Sequence, residues 1–248
     1  MKELEASPPA RDPSQLTLIV ANYVFPKSWE KLPDEPGSDV RVVYTVGVHP
    51  RFAGQVNDFE VVIRCMNSFL SLFRCVGVGE LGLDETADCS LSVQLTVFSR
   101  LAPLAAKHKK TLVLHCRGPS TAERVLSVLK ELGLTSIKIH FHCFTESFQV
   151  AEQWMAACSH ICFGIGTQVL SNPVVADTAT KLPIDNMVLE SDAPYQPIVP
   201  GDMNTPWCIS VVAERIAMMR NVPVNDLLHL CGANTRYIYS LWHLSPHM

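Results

Sequence analysis

What most constrains this chain is a repeated alternation. Short runs rich in β-branched and apolar residues are separated by amphipathic stretches of helical period, in one uninterrupted block. The strand-like runs are LTLIVANYV (16–24), VVYTVGVH (42–49), CVGVGELGL (75–83), TLVLHC (111–116), SIKIHFH (136–142), HICFGIG (160–166) and NMVLES (186–191). Helical patterns occupy 58–73, 92–108, 120–133, 147–157, 204–221 and 223–241, and Pro103 predicts a kink or a reset boundary in the second. Strand–helix alternation argues for a parallel sheet covered by helices. With this many units the expected fold is a TIM-like (β/α) barrel rather than an open sheet. Seven strands are recognisable where a closed barrel has eight.

Composition sets limits on function. The 248 residues are 48% hydrophobic with a net charge of −4, so no broad basic surface advertises nucleic acid; phosphate would have to be bound locally, by a metal or a few placed cations. Nine scattered cysteines without a C-x-x-C pair read as reduced thiols of the cytosol or nucleus. Residues 1–15 are polar and Pro-rich, expected to be disordered and without the apolar core of a secretory signal. No apolar run reaches the roughly 18 residues of a membrane span. Residues 16–248 read as one domain.

Polar residues gather at the strand ends, where a barrel of this kind carries its chemistry. His49 ends the second run, Glu80 lies near the end of the third, His115 ends the fourth, His142 the fifth and Asp192 the seventh. Chance scatters such residues over loops and helix faces. His, Glu and Asp together form the ligand set of Zn²⁺, Mn²⁺ or Mg²⁺ in hydrolytic sites.

The segments VGVHP, GELGLD, LHCR, HCFTES and LESDAPY, in that order, resemble the successive signatures of the TatD-like metal-dependent deoxyribonucleases, a group of amidohydrolase-type barrels. KIHFHCFT is similar to the animal TatD domain-containing protein 2 branch. The resemblance implies that Glu80 bridges two divalent ions, that His115 and His142 ligate one, and that Asp192 ligates the other and steers the attacking water. It implies that Arg117 contacts a substrate phosphate, which suits a forked donor, and that His49 lines the pocket. The expected reaction is hydrolysis of phosphodiester bonds of DNA or RNA by 3′-end trimming. His140 has no counterpart in the family site and reads as a core histidine with a hydrogen-bond partner. Cys116 and Cys143 follow proposed ligands, and alternation turns both outward as small hydrophobes.

Two departures from the family pattern bear on activity. Relatives begin with a strand ending in a His-x-His pair that completes the site of one metal, and no such strand is recognisable here. Its absence leaves the runs at 16–24 and 186–191 without their shared neighbour and weakens one metal site. It reads either as a shortened form that folds poorly or as a place for a strand from a second chain. Glu146 stands where relatives carry Gly. It reads either as strain and repulsion beside the phosphate path or as a cap on the next helix. Ser191, in place of the usual Thr, keeps the hydroxyl. The alternatives to a nuclease are a catalytically inactive binding module and an amidohydrolase acting on a small ester or lactone. Arg117 disfavours the last, because a guanidinium suits phosphate better than a neutral ester.

Overall fold

The structure, a computed structural model, describes residues 16–29 and 40–242, so residues 1–15 lie outside the described residues. Seven parallel strands form one sheet in chain order: β1 (Leu18–Tyr23), β2 (Arg41–Val46), β3 (Cys75–Asp84), β4 (Thr111–Arg117), β5 (Lys138–Phe141), β6 (His160–Ile165) and β7 (Met187–Leu189). The sheet curls as a TIM-like barrel that is open between β1 and β7, whose outer edges have no strand partner among the described residues. Each strand begins within two residues of its expected place.

The helices are α1 (Pro26–Trp29), α2 (Phe59–Leu70), α3 (Leu91–Leu101), α4 (Pro103–His108), α5 (Thr121–Glu131), α6 (Phe148–Ala157), α7 (Pro173–Lys181), α8 (Ile209–Arg220) and α9 (Val224–Ile238). Pro103, at the first position of α4, resets the helix boundary within the second helical stretch, because proline cannot donate to the preceding turn. Asp58 caps α2 by accepting from the Glu60 and Val61 amides. None of the described helices is long and apolar enough to cross a membrane.

Period-two alternation divides the core. Leu112, Leu114, Ile139, Phe141 and Phe163 face the helices in the larger apolar cluster. Val43, Val76, Val113, Cys162 and Val188 face inward, where Ile238, Tyr239 and Leu241 plug the inside of the sheet. Thr111 Oγ1 donates to the Ile238 carbonyl (2.6 Å), tying the plug to the start of β4. The same alternation carries His115 and Arg117 inward above Val113 and His140 inward on the next strand, with His142 just past that strand's end.

Strand β3 departs from regular pairing where it matters. Val78 pairs with Leu112 but Leu81 with Leu114, so β3 carries one extra residue around Glu80. Such a bulge re-aims a side chain next to a site. Gly82 continues the close approach: its φ is +149°, and a β-carbon there would overlap the His115 carbonyl oxygen.

Candidate metal centre

Glu80 is the hub of the inward polar cluster. Its Oε1 accepts from Asn22 Nδ2 on β1 (2.8 Å), and Asn22 Oδ1 in turn accepts from Thr45 Oγ1 on β2 (2.8 Å). Its Oε2 lies 3.6 Å from His115 Nδ1, 3.7 Å from His142 Nε2 and 3.9 Å from His49 Nε2. Burial alone would raise the Glu80 pKa, but His142 and His115 more than offset it and hold the carboxyl well below the usual range.

Two groups of donor atoms surround this hub, each spanning no more than 4.8 Å: His49, Glu80 and His115, and His142, Cys143 and Asp192. The four strand-end residues expected as ligands are thus brought together around Glu80, with His115 and His142 in separate three-donor groups. His49 stands three residues beyond β2, where its Nδ1 accepts from the Arg51 amide (3.1 Å). Burial, then His115, push its pKa down to about 3. A neutral ring accepting at Nδ1 carries its proton on Nε2, so His49 presents a donor to the pocket. Arg117 ends β4 at the mouth, 3.9 Å from Asp84 Oδ2.

Cys143 corrects an expectation. Strand β5 stops at Phe141, and Cys143 has φ of +47°, so alternation no longer applies and the thiol turns toward the site. Gln196 Nε2 donates to both Cys143 Sγ (2.8 Å) and Asp192 Oδ2 (2.7 Å). Cys116 is buried against the helices, as alternation requires. Glu146 has no positive φ and does not line the cavity; its carbonyl accepts from Thr178 Oγ1 (3.0 Å), and Ser147 is the cap residue of α6.

His140 is buried, with Nδ1 2.6 Å from the Tyr239 hydroxyl, the partner expected of a core histidine. Its Nε2 lies 3.3 Å from Glu190, a residue the motifs did not single out. Glu190 Oε2 is 2.8 Å from His142 Nδ1, and Oε1 accepts from the Cys143 amide. Burial raises the His142 and Glu190 charging costs, yet their mutual attraction wins: the Glu190 carboxyl is held at about 2 and the His142 pKa is raised well above 6.5. The only sequence signal for Glu190 was its place two residues before Asp192, the spacing of one strand face.

A cavity of about 1590 Å³ runs along the concave face from β1 to β7 and over the cluster. Arg51, Arg117, Phe52, Tyr195 and Trp207 form part of its lining.

A family model described as TatD related DNase matches residues 10–240. The chain belongs to that family. Human 3′-5′ RNA nuclease TATDN2 is 29% identical over 247 residues, covering 92% of this chain, which spans only 31% of that protein's length. The Erwinia amylovora 3′-5′ ssDNA/RNA exonuclease TatD is 28% identical over 79% of this chain and 78% of its own. The TatD homologue YJJV of Escherichia coli shares the fold with a TM-score of 0.77 and 21% identity, over 91% of this chain and 86% of that one. An Entamoeba histolytica TatD family hydrolase gives a TM-score of 0.73 and 18% identity, covering 90% and 83%. TatD proteins are metal-dependent hydrolases, and the cluster fits that chemistry. Nitrogen and carboxylate donors converge on Glu80, and His115 Nε2 and Asp84 Oδ2 are buried without hydrogen-bond partners among the described residues.

Proposed function

We propose that this chain is a nuclease that hydrolyses phosphodiester bonds of single-stranded DNA or RNA from the 3′ end. The observation that carries this reading is one carboxylate, Glu80, shared by two histidines of different strands, with Asp192 opposite and two guanidinium groups at the mouth. Glu80, His115, His142 and Asp192 would hold up to two divalent ions, with Mg²⁺, Mn²⁺ and Zn²⁺ all compatible with these donors. Such ions supply Lewis-acid stabilisation of a phosphate oxygen and make water nucleophilic at neutral pH.

The chain's own groups do the rest. Asp192 Oδ1 lies 3.4 Å from His142 Nε2, while Gln196 pins Oδ2. That leaves Asp192 oriented to take a proton from an attacking water. Arg117 and Arg51 neutralise the phosphate, and His49 Nε2–H donates to one of its oxygens. Tyr195, 71% exposed, and Trp207 offer stacking faces beside the pocket, which suits unpaired bases. The human and Erwinia relatives are named as 3′-5′ nucleases, which supports the direction.

One observation favours a second reading, a binding module that does not cleave. Among the described residues the sheet is open between β1 and β7, beside the cluster, so they give the site one wall fewer than a closed barrel provides. An assay separates the two. Single-stranded DNA and RNA labelled at either end are incubated with the chain in Mg²⁺ or Mn²⁺, with EDTA and Asp192→Asn as controls. Stepwise shortening of the 5′-labelled strand that both controls abolish is the expected result. Binding without shortening, by a folded chain, would overturn nuclease activity in favour of the binding module.

A further inference from the structure

Asp84 closes β3 and is fully buried, yet the two oxygens of its carboxylate are treated differently. Oδ1 is saturated, accepting from the Thr86 amide (2.8 Å) and the Thr86 hydroxyl (2.5 Å). Oδ2 has no hydrogen-bond partner among the described residues. Around Oδ2 stand three nitrogens: His115 Nε2 at 3.4 Å, Arg51 Nε at 3.5 Å and Arg117 Nη1 at 3.9 Å. His115 Nε2 is itself buried, with no hydrogen-bond partner among the described residues. The backbone below is clamped as well. The Asp84 amide donates to Gln94 Oε1 (2.7 Å), and Gln94 Nε2 donates back to the Asp84 carbonyl (3.0 Å). With backbone and Oδ1 both fixed, the carboxylate has no freedom to turn Oδ2 away from the imidazole.

We propose that Asp84 is a positioning residue for the centre. It holds the His115 proton on Nε2, so that the Nδ1 lone pair faces Glu80, and it orders Arg51 and Arg117 at the mouth. Only one ring nitrogen of a neutral histidine carries the proton, and the partner of the other nitrogen decides which. Both ring nitrogens face carboxylates, Nε2 that of Asp84 at 3.4 Å and Nδ1 that of Glu80 at 3.6 Å. Glu80 is the group a cation would engage, whereas Asp84 Oδ2 is fixed and otherwise unsatisfied, so the proton that the neutral ring retains belongs on Nε2. His115 Nδ1, 3.6 Å from Glu80 Oε2, is then the free donor atom. The same oxygen draws in both guanidinium groups, and Arg51 Nη2 also donates to Thr86 Oγ1 (3.3 Å). One buried carboxylate thus sets the ligand atom and the phosphate-facing cations together. This inference rests on the metal site proposed above, but not on cleavage.

Asp84→Asn tests it because the geometry dictates how the amide sits. The two Thr86 donors keep the carbonyl oxygen in the place of Oδ1, so the NH₂ group takes the place of Oδ2 and points donors at His115 Nε2. The imidazole must then carry its proton on Nδ1, and the lone pair facing Glu80 is lost. The first measurement is long-range ¹H–¹⁵N correlation on metal-free, histidine-labelled chain in alkaline buffer, with His115 assigned by its loss in His115→Gln. The second is Mn²⁺ titration followed by the EPR signal of free ion. Expected are the Nε2–H tautomer in the wild type, the Nδ1–H tautomer in Asp84→Asn, and Mn²⁺ affinity lowered about 10–100-fold in the variant. Wild-type His115 protonated on Nδ1 would overturn the assignment, as would a folded Asp84→Asn with unchanged tautomer and Mn²⁺ affinity. Should Asp84→Asn fail to fold, the wild-type tautomer alone decides. A chain with the expected tautomer and Mn²⁺ binding but no cleavage would refute the nuclease reading and leave the role of Asp84 standing.

Discussion

Glu190→Gln in the metal-free chain should cost a large, pH-dependent share of its stability. Glu190 is buried against two imidazoles, 2.8 Å from His142 Nδ1 and 3.3 Å from His140 Nε2, and its other oxygen accepts from the Cys143 amide. That amide keeps the glutamine carbonyl in place and turns the NH₂ group onto the two rings, where it meets donors instead of replacing an acceptor. Removing one partner of a buried ion pair costs about 3–5 kcal/mol, because the remaining charge loses its compensation. The pH window follows from the two shifts. Glu190 is held at about 2 against 4.5, so its contribution is present above 4.5 and is lost as pH falls through about 2. His142 is raised well above 6.5, so its contribution is complete below 6.5 and is lost as pH rises through the raised value. The pair is therefore fully effective between 4.5 and 6.5. Urea unfolding in EDTA, followed by circular dichroism, reads the effect. With a slope of about 2–3 kcal/mol/M, the midpoint should fall by about 1–2 M at about pH 5.5 and by less in alkaline buffer. A loss below about 1 kcal/mol at that pH, or one equally large in alkaline buffer, would refute this account of the pair.

Gly82→Ala should lower stability by about 3 kcal/mol or more, since a β-carbon there meets the His115 carbonyl and φ is +149°. In thermal melts that is a drop of about 6–12 °C, and an unchanged Tm would contradict the close approach. Burial pushes the thiols of Cys75, Cys162 and Cys231 up to about 12, whereas Cys65 is exposed. Brief iodoacetamide treatment of the native chain should therefore modify Cys65 and spare those three, as read by peptide mass spectrometry; native labelling of Cys231 would count against the packing of α9. Tyr195→Ala should weaken binding of a single-stranded oligothymidylate by about 1–3 kcal/mol in fluorescence anisotropy while leaving Mn²⁺ binding unchanged. Equal oligonucleotide affinity would remove Tyr195 from the substrate path.

The strands were legible because buried parallel strands are near-continuous β-branched runs, and their inward residues followed from alternation alone. Alternation failed where strands end. Strand β7 stops at Leu189, so Glu190 and Asp192 leave the ladder to enter the pocket, and Cys143 turns inward through a left-handed φ. Helix α7 was missed although Asn172 and Pro173 mark its start, because its short residues Ala176, Thr178 and Ala179 give little apolar contrast. The hub role of Glu80 depends on one extra residue in β3, a register event that periodicity cannot disclose. Asp84 and Glu190 both lie inside quoted motifs, yet the histidines and arginines their carboxylates face are 31 or more positions distant. The roles of such supporting carboxylates are written in three dimensions.

Those two carboxylates also determine what uptake of a divalent ion must do to the protons of the centre. Without metal, Glu80 is kept ionised in a buried setting chiefly by His142 and His115, whose own pKa values are raised by their carboxylate neighbours. The cluster is thus neutralised by protons that occupy the positions cations would take. His142 Nδ1 faces Glu190 and His115 Nε2 faces Asp84. Each ring therefore keeps the proton on that side and gives up the one directed at Glu80, freeing His142 Nε2 and His115 Nδ1 as donor atoms. Mn²⁺ binding should accordingly release protons and tighten as pH rises toward the raised histidine range, with log affinity climbing by up to about one per unit of pH for each ring. Calorimetric titration in two buffers of different ionisation enthalpy counts the protons directly. Proton-neutral binding with an affinity constant between about pH 6 and 8 would show that the imidazoles are already neutral, and that the buried carboxylates are stabilised by something other than the histidines beside them.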